Sequence, residues 1–150
     1  MSRFEITNDF LRQHSMFGGL SEAELSLVRP RLIEQIYPVG KALLNQGEPN
    51  STVYFIVSGE VKVVKNGRYI TTLKVGDSFG EMELIDIQPC AASIISLSEV
   101  HAATLDNREF YRLSQENLMV FTIIIMNLAR DISRRLRTTD DMLATFSKQE

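Results

Sequence analysis

A single cysteine in 150 residues has no partner for an internal disulfide. It also supplies too few thiolates for a four-cysteine zinc or iron–sulfur site within one chain. Such cysteine usage fits a reducing cytoplasm. The two histidines, His14 and His101, show no ligand spacing, so no metal or haem site is predicted and both read as ordinary surface or core residues. There is no excess of basic charge: 16 Lys and Arg stand against 19 Asp and Glu, and the formal net charge of −3 provides no pull toward nucleic acid or a membrane surface. The most apolar segment, Val120 to Leu128, is interrupted by Thr122 and Asn127. It is far shorter than the roughly 20 apolar residues of a membrane-spanning helix. The opening MSRFEITNDF lacks the apolar centre and small-residue cleavage site of a secretory signal. Internal repeats and low-complexity linkers are missing too. What remains is one ordinary domain, 44% hydrophobic and long enough to bury a core without staples.

Local signals divide the chain in three. Ser21-Glu22-Ala23-Glu24 is a capping box that predicts a short helix from Glu22 toward Arg29, with Pro30 opposing its continuation. Asn8 to Gln13 forms another short helix, ending near Gly18-Gly19. From Glu34 to about Thr104 the pattern changes to strands. Val53 to Val57 is a buried strand, Glu60 to Lys65 alternates in part, and Asn66-Gly67 marks a two-residue hairpin turn leading into Arg68 to Leu73. Closely spaced glycines with many short strands suggest a sandwich or barrel. Asp106 or Asn107 caps a helix through about Leu113, and a longer helix runs from about Glu116 to the neighbourhood of Phe146 with no proline or glycine to stop it. The expected organisation is a single domain over 1–150: a helical N-terminus at 1–33, a β region at 34–105 and C-terminal helices at 106–147.

Five segments, taken in order, carry a likeness: MFGGLSEAEL, YPVGKALLNQGEP, VYFIVSGEVKVV, LKVGDSFGEMELI and PCAAS. Together with the final helix they resemble the cyclic nucleotide-binding domain shared by catabolite-activator-type transcription factors, protein kinase A regulatory subunits and cyclic-nucleotide-gated channels. The likeness spans nearly the whole chain. It implies a mainly β fold, a double-stranded jelly-roll β-barrel flanked by N-terminal helices and a long C-terminal helix. It also implies a phosphate-binding cassette between Phe79 and Ser93. In that cassette Glu81 accepts a hydrogen bond from a ribose hydroxyl, Gly80 lets backbone approach closely, and backbone around Gly80, Met82 and Ala91 faces the phosphate. Thr138 and Thr139 lie where the resemblance implies contact with the base from the long helix, Thr139 being the better match. The implied ligand-binding set is Gly80, Glu81, Met82, Cys90, Ala91, Ser93 and Thr139.

The cassette departs from the family pattern at two positions. Where the family places the arginine that grips the cyclic phosphate, this chain has Cys90, and a neutral thiol does not replace a planar charged fork. Where a small residue is usual, it has Glu83, which brings negative charge toward an anion if it points inward. Losing a two-pronged arginine contact costs roughly 3 kcal/mol or more, about two orders of magnitude in affinity, unless another cation such as Lys62, Lys65, Lys74 or Arg68 reaches the pocket. Cys90 itself reads either as a redox sensor or as an inert, partly buried small residue, and no neighbour in the sequence favours the thiolate. Arg130, Arg134, Arg135 and Arg137 form a basic run that reads as a solvated helix face, partly balanced by Asp131, Asp140 and Asp141.

Phe121, Ile125, Leu128, Ile132, Leu136, Thr139, Leu143 and Phe146 follow one another in steps of four or three, which makes one apolar stripe along a helix. About 30 helical residues extend about 45 Å. A jelly roll of this size covers part of that length, so the rest is expected to pair with a second copy in a parallel homodimer; the competing arrangement packs the whole stripe on its own domain. The chain ends at Glu150, just beyond this helix, so no DNA-binding domain is expected in it, whether it is a stand-alone sensor or a piece of a longer protein. The expectation is a cytoplasmic regulatory module, not an enzyme, binding a small ligand such as a cyclic nucleotide weakly and needing no resident cofactor. A family member that has lost nucleotide binding and serves as a dimerisation scaffold is the first alternative. A cupin-type enzyme is the second, disfavoured because it needs a histidine-rich metal site.

Overall fold

The near-continuous apolar run of β3 (Thr52–Ser58) is the key to the architecture, because this strand is buried on both faces. In the computed structural model, which describes residues 6–148, Val53, Phe55 and Val57 point to one side and Ile56 to the other, following the two-residue period of a strand. The same split recurs on its neighbour β8 (Val100–Asp106), where Ala103 and Leu105 face one core and Val100 and Ala102 the other. These strands lie at the centre of a sheet in the order β1-β8-β3-β6, with β1 at Ile33–Tyr37 and β6 at Ser78–Phe79. A second sheet has the order β2-β7-β4-β5, formed by Ala42–Leu44, Ser93–Ser96, Val61–Lys65 and Arg68–Leu73. All recorded pairings are antiparallel. Two facing four-stranded antiparallel sheets with helices at both ends are the part of the expected jelly-roll barrel that the structure displays.

The inner core between the sheets holds Leu44, Ile56, Val61, Phe79, Cys90, Ile94, Val100 and Ala102. The outer core packs helices against the first sheet. There Phe10 and Leu11 of α1 (Asn8–Arg12), Leu25 and Val28 of α2 (Glu22–Val28), Phe110 and Leu113 of α4 (Asn107–Glu116), and Val120, Ile124 and Leu128 of α5 (Leu118–Lys148) converge.

Local chemistry sets the boundaries. Ser21 and Glu24 form the reciprocal capping box, each side chain accepting from the other's backbone N–H at 3.2 and 2.9 Å. A short 3₁₀ turn carrying Pro30 then ends the helical run. Asn66 and Gly67 join β4 to β5 with φ of 52° and 75°, the left-handed pair that a tight hairpin turn requires. Asp106 caps α4, which extends through Glu116, three residues beyond the expected Leu113, and Asn117 separates it from α5 while its side chain accepts from Val120 N–H.

The stripe along α5 does two jobs. Up to Ile132 it packs on the chain's own domain, and the deepest line is Val120, Ile124 and Leu128, one position away from the expected Phe121 and Ile125, which are partly buried. Beyond that point Leu136, Leu143 and Phe146 are 61%, 60% and 68% exposed. Among the described residues, no helix is long and apolar enough to cross a membrane.

Asn127, buried on α5, locks the N-terminal segment in place. Its amide donates to the carbonyls of Met16 at 3.0 Å and Gly18 at 2.8 Å. Replacing Asn127 by alanine strands both carbonyls and is expected to cost about 1–3 kcal/mol in equilibrium urea unfolding. A loss below about 0.5 kcal/mol, the scale of an ordinary surface change, would show that the amide does not hold this junction.

Candidate functional site

The loop between β6 and β7 is shaped first by Gly80. Its φ of 88° is in the left-handed region, and a Cβ there would lie 2.3 Å from the carbonyl oxygen of Thr52. Only glycine fits this approach without displacing backbone. Asn50 fixes the same junction: its amide donates to Thr52 O at 2.9 Å and Gly80 O at 3.3 Å, while its side-chain oxygen accepts from Thr52 N–H at 3.1 Å. α3 (Glu81–Ile85) starts immediately after Gly80. The far limb is pinned to the loop after β2, where Gly47 N–H donates to Cys90 O at 2.9 Å, Cys90 N–H to Glu48 O at 2.8 Å, and Gln46 N–H to the Ser93 hydroxyl at 2.9 Å.

These limbs enclose a recess of about 540 Å³, within the usual range of small-ligand sites. Leu44, Val63, Leu73 and Ile94 supply an apolar wall, and Arg134, Arg135, Thr138 and Thr139 of α5 close it from the other side. Of the seven candidate residues, Gly80, Glu81, Met82, Ala91 and Thr139 meet around this space. Cys90 and Ser93 do not line it. The Cys90 side chain packs in the inner core, and the Ser93 hydroxyl serves the loop after β2. Lys62, Lys65, Lys74 and Arg68 are likewise not among the lining residues. The cations at the recess come from α5, out of the basic run that reads from sequence as a solvated face.

Glu81 is 2% exposed. Arg135 Nη1 donates to its Oε1 and forms an ion pair with it, and Arg135 Nη2 reaches Ser78 O at 3.4 Å. Glu81 Oε2 is buried and has no hydrogen-bond partner in the structure. Burial pushes the Glu81 carboxyl above its ordinary range, with the Arg135 guanidinium acting in the opposite direction. Arg134 lines the same recess but is directed to Asp131 at 3.3 Å. Glu83 does turn inward: its Oε1 accepts from Ala91 N–H at 3.4 Å. Burial and the neighbouring Glu83 together push the Cys90 thiol up, which disfavours a reactive thiolate. Sequence reasoning missed Arg135 and Asn50. Arg135 is 54 residues from Glu81 and gives no local signal, whereas Asn50 lies just before a strand, where a side chain that bonds backbone two residues on is a recognisable turn former.

Comparison with known proteins agrees with this geometry. The family model for the cyclic nucleotide-binding domain matches residues 34–117. A cAMP-dependent protein kinase regulatory subunit of Hypocrea atroviridis is 32% identical over 112 residues, covering 75% of this chain and 24% of that protein. The cyclic AMP receptor protein of Thermus thermophilus is 28% identical over 140 residues, covering 90% of this chain and 63% of the relative. The crystal structure of the Thermus thermophilus catabolite activator protein superposes with a TM-score of 0.77 at 28% identity, over 89% of this chain and 63% of that one. The chain belongs to the cyclic nucleotide-binding domain family, and it spans about a quarter to under two thirds of the length of these relatives.

The raised pKa of Glu81 sets a pH dependence. The folded chain holds this proton to higher pH than the unfolded chain, so the group's contribution to stability is fully present below the unfolded value. It is lost as pH rises through the folded value. Glu81→Gln removes that loss. Its unfolding free energy is expected to gain on the parent's between acid and neutral pH, with most of the gain above the ordinary carboxylate range. A difference that stays flat across a pH series of denaturant melts would refute a desolvated Glu81.

Proposed function

We propose that this domain is a regulatory module, not an enzyme, in which a small ligand occupying the recess acts on α5. The free Oε2 of Glu81 carries this reading. A buried carboxylate oxygen without a partner costs free energy, and a hydroxyl donor supplied by a ligand, such as that of a ribose, removes the cost. Gly80 and Ala91 offer backbone beside it, and Thr139 closes the recess from the helix. The cyclic nucleotides named for the kinase and receptor relatives are the starting candidates, bound weakly because no arginine stands at Cys90.

The signal route follows from the ion pair. A ligand hydroxyl on Glu81 shares its acceptor with Arg135, so occupancy changes the contact that links the cassette to α5. A ligand that interacts differently with the two positions of α5 shifts the population between them. The exposed half of α5, with Leu136, Met142, Leu143 and Phe146, is the surface on which a second copy would register that shift. A parallel pairing of the two helices buries these side chains.

Two measurements address this reading. In thermal unfolding against a panel of nucleosides and cyclic nucleotides, a true ligand raises the midpoint; at about 100 times its Kd it adds about 2.7 kcal/mol of stability. A panel without any stabilising member would favour the dimerisation scaffold. For the interface, Leu136→Glu combined with Leu143→Glu is expected to convert a dimer to monomer in sedimentation velocity. An unchanged dimer would assign the contact to another surface.

A further inference from the structure

The recess meets its two carboxylates in different ways. Glu81 is tied to α5 and leaves one oxygen for a donor. Glu83 is turned onto the backbone N–H of Ala91, one of the three places, with Gly80 and Met82, whose backbone the family resemblance assigns to the phosphate. The Cys90 thiol lies close to the same carboxylate. The two arginines at the recess are each paired with another carboxylate, Arg135 with Glu81 and Arg134 with Asp131. We propose that Glu83 fills the anion position with a carboxylate of the chain itself, so that the recess selects an uncharged nucleoside over the matching cyclic nucleotide.

The physical argument is one of like charge in an apolar setting. A cyclic phosphodiester would have to displace Glu83 from Ala91 N–H or sit beside it. The wall of Leu44, Val63, Leu73 and Ile94 screens that repulsion far less than water does. An uncharged nucleoside leaves the Glu83–Ala91 hydrogen bond in place. Its vicinal diol still donates to the free oxygen of Glu81, and a recess of about 540 Å³ has room for a body of that size. Rejection of the charged analogue is then built from a repulsive element, with no need for any extra contact to the neutral one.

This inference rests on the recess being a ligand site, and the test separates the two. Calorimetric titrations of the full chain use matched pairs: adenosine with cyclic AMP, guanosine with cyclic GMP, cytidine with cyclic CMP and uridine with cyclic UMP. At least one nucleoside is expected to bind the parent roughly tenfold or more tightly than its cyclic counterpart. Glu83→Ala, placed in a helix where alanine is favoured, is expected to close that gap by raising cyclic-nucleotide affinity. Nucleoside affinity should stay within about threefold, the scale of a lost neutral contact. Circular dichroism matching the parent's confirms that the variant folds.

A parent that binds the cyclic member of every pair equally or more tightly overturns the selection while leaving the ligand site standing. A nucleoside preference that survives Glu83→Ala overturns the role given to Glu83. If the parent binds none of the eight compounds and Glu83→Ala/Cys90→Arg binds a cyclic nucleotide, the inference fails in favour of a domain that has lost its ligand. If neither protein binds any of them, the recess itself is not a ligand site.

Discussion

The contact between Arg135 and Glu81 joins the two halves of the molecule at the recess. Glu81 begins a five-residue helix inside the β region, and Arg135 sits more than halfway along the 31-residue α5. The carboxylate is almost fully buried, so its desolvation is offset by that guanidinium, by the backbone N–H of Glu81 and by whatever enters the recess. Arg135 itself is half exposed, and its pairing is correspondingly screened by water. A buried acid held from one side by a screened partner is a sensitive arrangement. A modest competitor for the acid can change what the helix feels, because the existing hold is not strong.

That sensitivity needs a rigid frame, and the frame comes from the doubly buried central strands. β3 and β8 commit alternate side chains to an inner core between the sheets and an outer core under the helices. The cassette and the first part of the helix are therefore both seated on this frame. Gly80 is pressed against Thr52 O at the start of β3, and Asn50 bonds across the same junction. α5 is anchored through Val120, Ile124, Leu128 and the two hydrogen bonds of Asn127. Beyond Ile132 the helix meets its own domain at the recess, through Arg135 on Glu81 and Ser78, while Leu136, Leu143 and Phe146 are exposed.

Features decided by a few adjacent residues were legible in the sequence. The Ser21–Glu24 capping box, the Asn66-Gly67 turn and the Asp106 cap depend on local backbone geometry and side-chain reach, and each formed where the residue types predict it. The ordered series of motifs was specific enough to indicate the family. Side-chain direction within the cassette was not legible. Cys90 is the position at which the resemblance implies a ligand contact, yet its side chain enters the inner core, because the Gly47–Glu48 turn pins its backbone from both sides. The hairpin cations were candidates for a replacement, but Val63, Thr71 and Leu73 are the hairpin residues that line the recess; Lys62 is of opposite parity on its strand, and Lys65 and Arg68 sit at the far end of the hairpin beside the turn. The expected stripe on α5 meets the deepest line at Leu128 and runs one position off it at Phe121 and Ile125. A helix seated between the N-terminal segment and α4 buries a wider arc than one line of residues, so Phe121 and Ile125 are partly covered as well.

The two departures that the resemblance implies, Cys90 and Glu83, fit one another. An arginine at position 90 beside a glutamate at position 83 would pair with it, and the guanidinium would be spent on an internal partner. A glutamate at 83 with nothing else changed would face a phosphate held by that arginine. With a small thiol at 90, tucked into the core and protonated by its surroundings, no cation competes for Glu83, and the carboxylate comes to rest on Ala91 N–H. In the proposed reading the pair of residues replaces an external anion with an internal one. The negative charge that Ala91 N–H would have met in a ligand is, in this reading, already present in the chain, and among the described side chains lining the recess the buried atom left without a partner is Glu81 Oε2, which calls for a hydrogen-bond donor and for no further charge.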